Sequence, residues 1–598
     1  MRTPTARLSA AARLAIAGLA TMLLMAACSS DDVPGASDVT PTAEPTAEPS
    51  DRTIALVMAE GAERERVAAA AREAGYGVTD VPDEADFAYG DRSFGDARVL
   101  VLDAWVATTD QRRDVLEVTR EQALALLSGD VADWSELGGT EQPVSLFLAE
   151  EDADRLAAAF DLAGLGERED VTWLDRDEVA DAVAAEPGAF SLMPATDLRP
   201  GILPLIVDGH DPLRDHERES PLRLERWIQA ADDDEAVEVL QVVGWTPRNL
   251  DFQPVSLLAT PEVLPVRCTY ERLARLGDYG AMFDGTRELL LAADVVVSQL
   301  DAALTDRVQP TACRVGVDLR APTAIAEALA DGGIDVMSTG ANHHMDCNRV
   351  PDATASCSAH DAHFDTVGAL EEAGILNFGS GENIEAARTA AVLERGGVTF
   401  AFLGYDSVAH CWYGATPDAS GTAPLSWGTL DALGDDVRRA KEQADHVIVA
   451  FSWSGDCEDP ANFVREYVTS PDDLQRAAAH VIAEAGGSLI AGNGPHIVQA
   501  SESIGDLFVA YSLGNFIYDQ DWSKPDRGDP AYVDYETVDW VILEAGFTAD
   551  RLVGYRMRPG MVLESYRPEL VDPAGEHGRR IFDRLWSASD VLPPWDAE

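Results

Sequence analysis

The chain has 598 residues, 46% hydrophobic and 25% charged, a globular composition too long for one ordinary core and therefore read as two or three domains. Against 105 Asp and Glu stand 45 Lys and Arg, a formal net charge of −60. Nucleic acid and anionic membrane surfaces are held by clustered cations, so this balance excludes both as general partners.

Residues 1–28 have the layout of an export signal. Arg2, Arg7 and Arg13 form a basic start, and 14–27 is an apolar run of 14 residues, short of the ~20 that a membrane-crossing helix needs. It ends Ala26-Ala27-Cys28-Ser29-Ser30. This resembles a bacterial lipobox, which implies that Cys28 is lipidated and holds the chain at the outer face of the bacterial cell membrane. Residues 29–52 follow as a tether rich in Pro, Thr, Ala and Glu, with too little apolar surface to fold.

From 53 to 250 strand-like and helix-like runs alternate: strands near 53–58, 98–103, 144–148 and 190–193, helices near 63–74, 119–127 and 152–162. The pattern implies an α/β domain with helices covering a sheet. Two patches, Arg120 to Gly139 with Trp134 in it and Pro187-Gly188-Ala189-Phe190 to Pro194, resemble segments of phosphate-type periplasmic solute-binding proteins. Residues 53–250 contain no Ser-Gly-Thr loop of the kind with which those proteins grip phosphate.

From 251 to 598 the alternation continues. Strands are expected at 255–259, 295–298, 335–338, 399–404, 446–451, 489–491 and 508–511. Helices are expected at 282–291, 323–330, 363–373, 471–485 and 576–587. Six cysteines lie here, Cys268, Cys313, Cys347, Cys357, Cys411 and Cys457. An even number outside the cytoplasm points to three disulfides; six cysteines allow 15 pairings, and neighbourhood favours 268–313, 347–357 and 411–457.

Polar residues gather just after the strand runs, where open α/β sheets place their sites. In order they are Glu262, Asp301, Asn342-His343-His344-Met345-Asp346 and Asn493-Gly494-Pro495-His496. Carboxylates, an amide oxygen and imidazoles suit hard or borderline divalent metals, Mn, Fe or Zn.

With these segments on the page the second region resembles the CapA family, the poly-γ-glutamate capsule proteins with a calcineurin-like metallophosphatase fold. Asn342-His343-His344-Met345-Asp346 looks like its Asn-His-x-x-Asp motif, Tyr511-Ser512-Leu513-Gly514-Asn515-Phe516 like its C-terminal signature, and Gly492 to Gln499 like its Gly-x-His-Pro-His segment. The resemblance implies two α/β domains, a solute-binding-protein-like one followed by a metallophosphatase-like α/β sandwich. It implies Glu262, Asp301, Asn342 and His496 as ligands of a divalent metal, and His343 as the proton donor or phosphoryl-contact residue. Two family imidazoles are replaced: Ser452-Trp453-Ser454 stands for His-Trp-Gly, and Gly494 for the first His of Gly-x-His-Pro-His. Asp456, Asp459, His344, His360 and His410 are candidates to compensate. His360 and His363 are expected to cap or precede their helix.

Three functions follow. One is a CapA-type surface lipoprotein serving a capsule or envelope polymer or its synthesis machinery, with metal-assisted hydrolysis or transfer at a phosphoester or γ-glutamyl amide. The second keeps the fold as a non-catalytic polymer-binding scaffold. The third is a solute-binding lipoprotein acting through residues 53–250. A polyanion would meet repulsion from a chain of charge −60, unless bridged by divalent cations or by a groove of Arg267, Arg272, Arg275 or Arg314.

Overall fold

The computed structural model describes residues 52–59, 61–162, 164–313, 318–347, 357–459, 466–520 and 535–595. Cys28 with its lipobox, the tether up to residue 51 and Arg314 lie outside them. Residues 51–598 form one compact unit. Among the described residues no helix is long and apolar enough to cross a membrane.

The fold is mixed α/β, as expected. Strands before residue 230 build sheets of their own. One runs Gly77–Thr79, Thr53–Val57, Phe87–Gly90, Arg223–Gln229, Arg98–Ala104; the other runs Ile202–Pro204, Val106–Asp110, Ala189–Met193, Ser145–Ala149, Val171–Leu174. The helix Arg120–Ser128 starts at a Thr119 capping box, with Gln122 closing it, which satisfies two orphan N–H groups at once. The two family-like patches of this region touch: the fully buried Trp134 donates its indole N–H to Gly188 O at 3.0 Å. Gly188 has φ 82°, and a Cβ there would lie 2.4 Å from Pro143 O, so the turn requires glycine.

The remainder is a sandwich of two sheets. The first has the order Leu376–Phe378, Val336–Ser338, Val295–Leu300, Val255–Val263, Asp539–Phe547, Leu552–Leu563, Arg567–Leu570, with Asn515–Ile517 also paired to Val255–Val263. The second runs Ala391–Arg395, Val398–Asp406, His446–Ser452, Leu489–Asn493, Leu507–Ala510, Ser501–Ile504. Their central strands are parallel and covered on both faces, which is why they read as unbroken apolar runs. One core joins Leu257, Val297, Phe400, Ile448, Leu489 and Phe508 between the sheets. Another packs Leu433, Val437 and Ile482 of the helices Leu430–Lys441 and Asp473–Ala485 on the outer face of the second sheet.

The disulfides are Cys268–Cys313, Cys347–Cys357 and Cys411–Cys457, the pairing that neighbourhood favoured.

Two expectations need correction. The helix expected at 282–291 is broken into a 3₁₀ turn, Tyr279–Phe283, and a short helix, Arg287–Ala292. Between them Gly285 passes so close to the edge strand that a Cβ would lie 2.5 Å from Pro568 O. His360 and His363 do not cap or precede their helix. It runs Ala359–Glu372 with Ser358 as N-cap, so both imidazoles sit inside it, His363 buried and His360 bonded to Ser420 Oγ at 2.8 Å.

The two parts of the compact unit are joined by a buried guanidinium. Arg556, fully buried, donates to Asp211 at 3.0 and 3.1 Å, to Glu544 at 2.8 Å and to Pro204 O at 2.8 Å.

Candidate active site

Every site residue expected from the sequence stands at the C-terminal edge of the parallel strands. Glu262 is the penultimate residue of Val255–Val263. The pairing of that strand with Val295–Leu300 slips between Ala259 and Glu262, across Thr260-Pro261, where a residue without an N–H cannot continue the ladder. A slip of this kind re-aims the next side chain, and Glu262 is fully buried. Asp301 follows Val295–Leu300 directly, 1% exposed, and accepts His343 N–H at 3.0 Å. Asn342 and His343 lie in the turn after Val336–Ser338.

Glu262, His496, Asn515 and Tyr518 form one chain of contacts. His496 Nδ1 is ion-paired with Glu262 and lies 2.9 Å from Asn515 Oδ1. His496 has φ 62°, an uncommon conformation for a residue with a side chain. Asn515 holds it there: its Nδ2 donates to His496 O at 3.2 Å and to Thr537 O at 2.8 Å. Tyr518 stacks on the imidazole with centroids 5.4 Å apart.

His343 has its own partner. Its Nδ1 is 2.5 Å from Asp346 Oδ2, and that carboxylate also accepts Leu319 N–H at 2.9 Å. Fixing Nδ1 on a carboxylate orients the ring.

The electrostatics follow from burial. Asp301 is pushed up to about 6, first by burial and then by the charge of Glu262, against the pull of His343 and His496. For His496 burial alone would disfavour the proton, but Glu262 beside it raises the imidazole to about 10.

The two departures from the family motifs have visible consequences. Ser452, fully buried, donates its hydroxyl to Asn342 Oδ1 at 3.0 Å; it orients the amide and is no imidazole substitute. Gly494 has φ 105°, and a Cβ there would stand 2.9 Å from Trp453 N, so the backbone has moved into space that a histidine at this position would need.

By chemistry the donor set suits a divalent ion. Among the described residues Glu262 Oε2 and Asn493 Oδ1 are buried with no hydrogen-bond partner, which is costly unless something else occupies them. Glu262, Asp301, Asn342 and His496 would hold the ion. Glu262, Asp301 and His496 are not drawn into a tight triad, however. Among the described residues the triads of His, Cys, Asp or Glu with ligand atoms all within 4.8 Å are His410/Cys411/Cys457 and His410/Asp456/Glu458.

Asn515, Ser452 and Asp346 are the functional residues sequence reasoning left without roles. Asp346 was legible as the fourth residue after Asn342; Asn515 was visible only as a motif letter. Of the candidate compensators, His344 is buried against His363, with Nε2 to Nδ1 at 3.0 Å, and His360 is bonded to Ser420. Of the arginines expected to form an anion groove, the three among the described residues are engaged by the protein's own groups. Arg267 is paired with Asp519 at 2.5 Å, Arg272 bonds Glu564 O, and Arg275 pairs along its helix with Glu271 at 2.7 Å.

Comparison with known proteins gives a consistent picture. Residues 256–520 match the family "Bacterial capsule synthesis protein PGA_cap". The chain is 25% identical over 256 residues to the PGA biosynthesis protein CapA of Bacillus subtilis, covering 43% of this chain and 60% of that one. It is 27% identical over 227 residues to the capsule biosynthesis protein CapA of Bacillus anthracis, covering 37% and 49%. It thus spans about half to three fifths of these relatives. Among solved structures, a putative 5'-nucleotidase from Staphylococcus aureus aligns over 56% of this chain and 58% of its own at 9% identity and TM-score 0.31. An ABC-type phosphate transport receptor from Vibrio cholerae aligns over 33% of this chain and 100% of its own at 13% identity and TM-score 0.21.

Proposed function

We propose, from the match of residues 256–520 to the bacterial capsule-synthesis PGA_cap family, that the chain is an envelope-polymer biosynthesis protein of the CapA type. In this reading it is lipid-anchored through Cys28 outside the cytoplasm, and it carries out hydrolysis or transfer at a phosphoester or γ-glutamyl amide. The observation that carries the catalytic part is the His343–Asp346 pair, 2.5 Å apart, set beside the buried carboxylates Glu262 and Asp301. A scaffold needs no oriented imidazole at the mouth of a carboxylate cluster.

A divalent ion bound by Glu262, Asp301, Asn342 and His496 would lower the pKa of a water and neutralise charge on the attacked oxygen. The chain's own residues do the rest. Ser452 orients the Asn342 amide, Asn515 and Tyr518 hold the His496 ring, and Asp346 orients His343. His343 presents Nε2 as the group that gives a proton to the leaving atom.

A second reading, polymer binding without catalysis, rests on Ser452 and Gly494, since two imidazoles of a two-metal site are missing. Assay of the 51–598 unit with Mn²⁺, on an activated phosphodiester and on poly-γ-glutamate, decides between them. The catalytic reading expects turnover that falls about 10²-fold or more in His343→Gln with metal content unchanged. No turnover on either substrate, with metal bound, favours the binding reading.

A further inference from the structure

A second cluster of ligating groups lies on loops that the site above does not use. The strand Val398–Asp406 leads into the short helix His410–Tyr413, and His446–Ser452 leads into the loop 453–459. These two strand ends are neighbours, with Asp406 opposite Ser452, and their loops are tied several times over. Ser407 N–H donates to Ser452 O at 3.0 Å, Ser407 Oγ to Gly455 O at 2.5 Å, and the disulfide Cys411–Cys457 closes the pair covalently.

On this staple His410, Asp456 and Glu458 each bring a ligand atom to within 4.8 Å of the other two. The imidazole lies with Nδ1 3.0 Å from Ser407 O. A ring that donates Nδ1–H to a backbone carbonyl leaves the lone pair on Nε2, the arrangement that metal-ligating histidines use; here Nε2 lies 3.5 Å from Cys457 Sγ, beside the disulfide. Asp456 is 5% exposed, and its Oδ1 accepts Glu458 N–H at 2.8 Å, which sets the direction of the carboxylate. Glu458 is exposed, leaving the remaining coordination positions on the solvent side. The Cys411 and Cys457 sulfurs are also near His410 but are oxidised, and a disulfide offers no thiolate to a metal.

We infer that His410, Asp456 and Glu458 form a separate binding site for one borderline divalent cation of the Zn²⁺ or Mn²⁺ class. One nitrogen and two carboxylates suit such ions better than Ca²⁺ or Mg²⁺, which take oxygen alone. The site is built by the disulfide-tied loops and is independent of Glu262, Asp301 and His496.

The test is equilibrium dialysis against Zn²⁺ of the 51–598 unit with its disulfides intact, in an Asp301→Asn/His496→Gln background that removes the first site. One zinc per chain is expected in that background. Adding His410→Ala, or separately Glu458→Gln, should weaken its binding at least about ten-fold. Glu458 is exposed, so its substitution leaves folding intact even where His410→Ala does not, and circular dichroism checks both. No zinc bound in the background, or zinc bound equally tightly after both substitutions, overturns the proposal.

Discussion

Arg556→Met tests how the two parts of the compact unit are held together. Arg556 is fully buried and makes two contacts to Asp211, at 3.0 and 3.1 Å, and one to Glu544 at 2.8 Å. Glu544 keeps a second cation when Arg556 is lost, because Arg558 lies 2.7 Å away. Asp211 keeps the Leu213 N–H at 3.1 Å and the more distant charge of Arg558, so the substitution removes the counter-ion bonded directly to a buried carboxylate. Breaking a buried pair from one side costs about 3–5 kcal/mol, and methionine fills most of the volume, so little cavity penalty adds to it. The sign with pH is fixed. Burial alone would raise Asp211, but Arg556 outweighs it and holds the carboxyl below its usual range. The stability from this pair is therefore present above the ordinary carboxylate pKa near ~4 and is lost as pH falls through the lowered value. Guanidinium denaturation at pH 7 should show the loss of about 3–5 kcal/mol. The loss should shrink at acid pH, and Asp211→Asn added to Arg556→Met should recover at least half of it. A loss below about 1 kcal/mol at pH 7, or no recovery on adding Asp211→Asn, refutes the reasoning.

Acid should also act through His363, which burial first and His360 second hold down to about 4. The unfolded chain takes its proton near ~6.5, so stability is full above that pH and falls by roughly 3 kcal/mol between ~6.5 and 4. Thermal melts across this range should show the loss diminished in His363→Gln. Gly494→Ala should cost about 1–3 kcal/mol, because φ is 105° and the added Cβ would meet Trp453 N at 2.9 Å. For the same reason Gly494→His should lower the melting temperature without adding bound metal; a gain in metal would show that the loop can accept the imidazole. Replacing Cys268 and Cys313 with serine opens a loop of 45 residues and should cost roughly 4 kcal/mol by chain entropy, read by reducing-agent-free denaturation.

Much of the sandwich was legible because its parallel strands are buried on both faces: Val398–Asp406 and His446–Ser452 are continuous apolar runs. The antiparallel strands Asp539–Phe547 and Leu552–Leu563 were not. Glu544 and Arg556 interrupt their runs, yet the two are directly opposite in register and neutralise each other across the ladder, a pairing that neither strand shows alone. Gly560 likewise reads as a breaker, while in the fold it makes room for the Trp540 ring, which a Cβ would meet at 2.1 Å.

The site was legible in part for a related reason. Glu262, Asp301, Asn342, His343 and His496 announce themselves at strand ends. The residues that position them, Asn515 and Ser452, act through contacts across 19 and 110 residues of chain, which no local pattern reports. His410 gave even less signal, being an imidazole at the start of a four-residue helix. The Cys411–Cys457 link and the Ser407 hydrogen bonds to the loop carrying Asp456 bring its neighbours together.

The account rests on the cleft of Glu262, Asp301, Asn342 and His496 as a one-ion site, and metal analysis of the 51–598 unit purified without chelators tests it most directly. Asp301→Ala with His496→Ala should lose one equivalent of Mn, Fe or Zn relative to the parent while the fold, followed by circular dichroism, is kept. The same metal content in parent and variant would contradict the central claim.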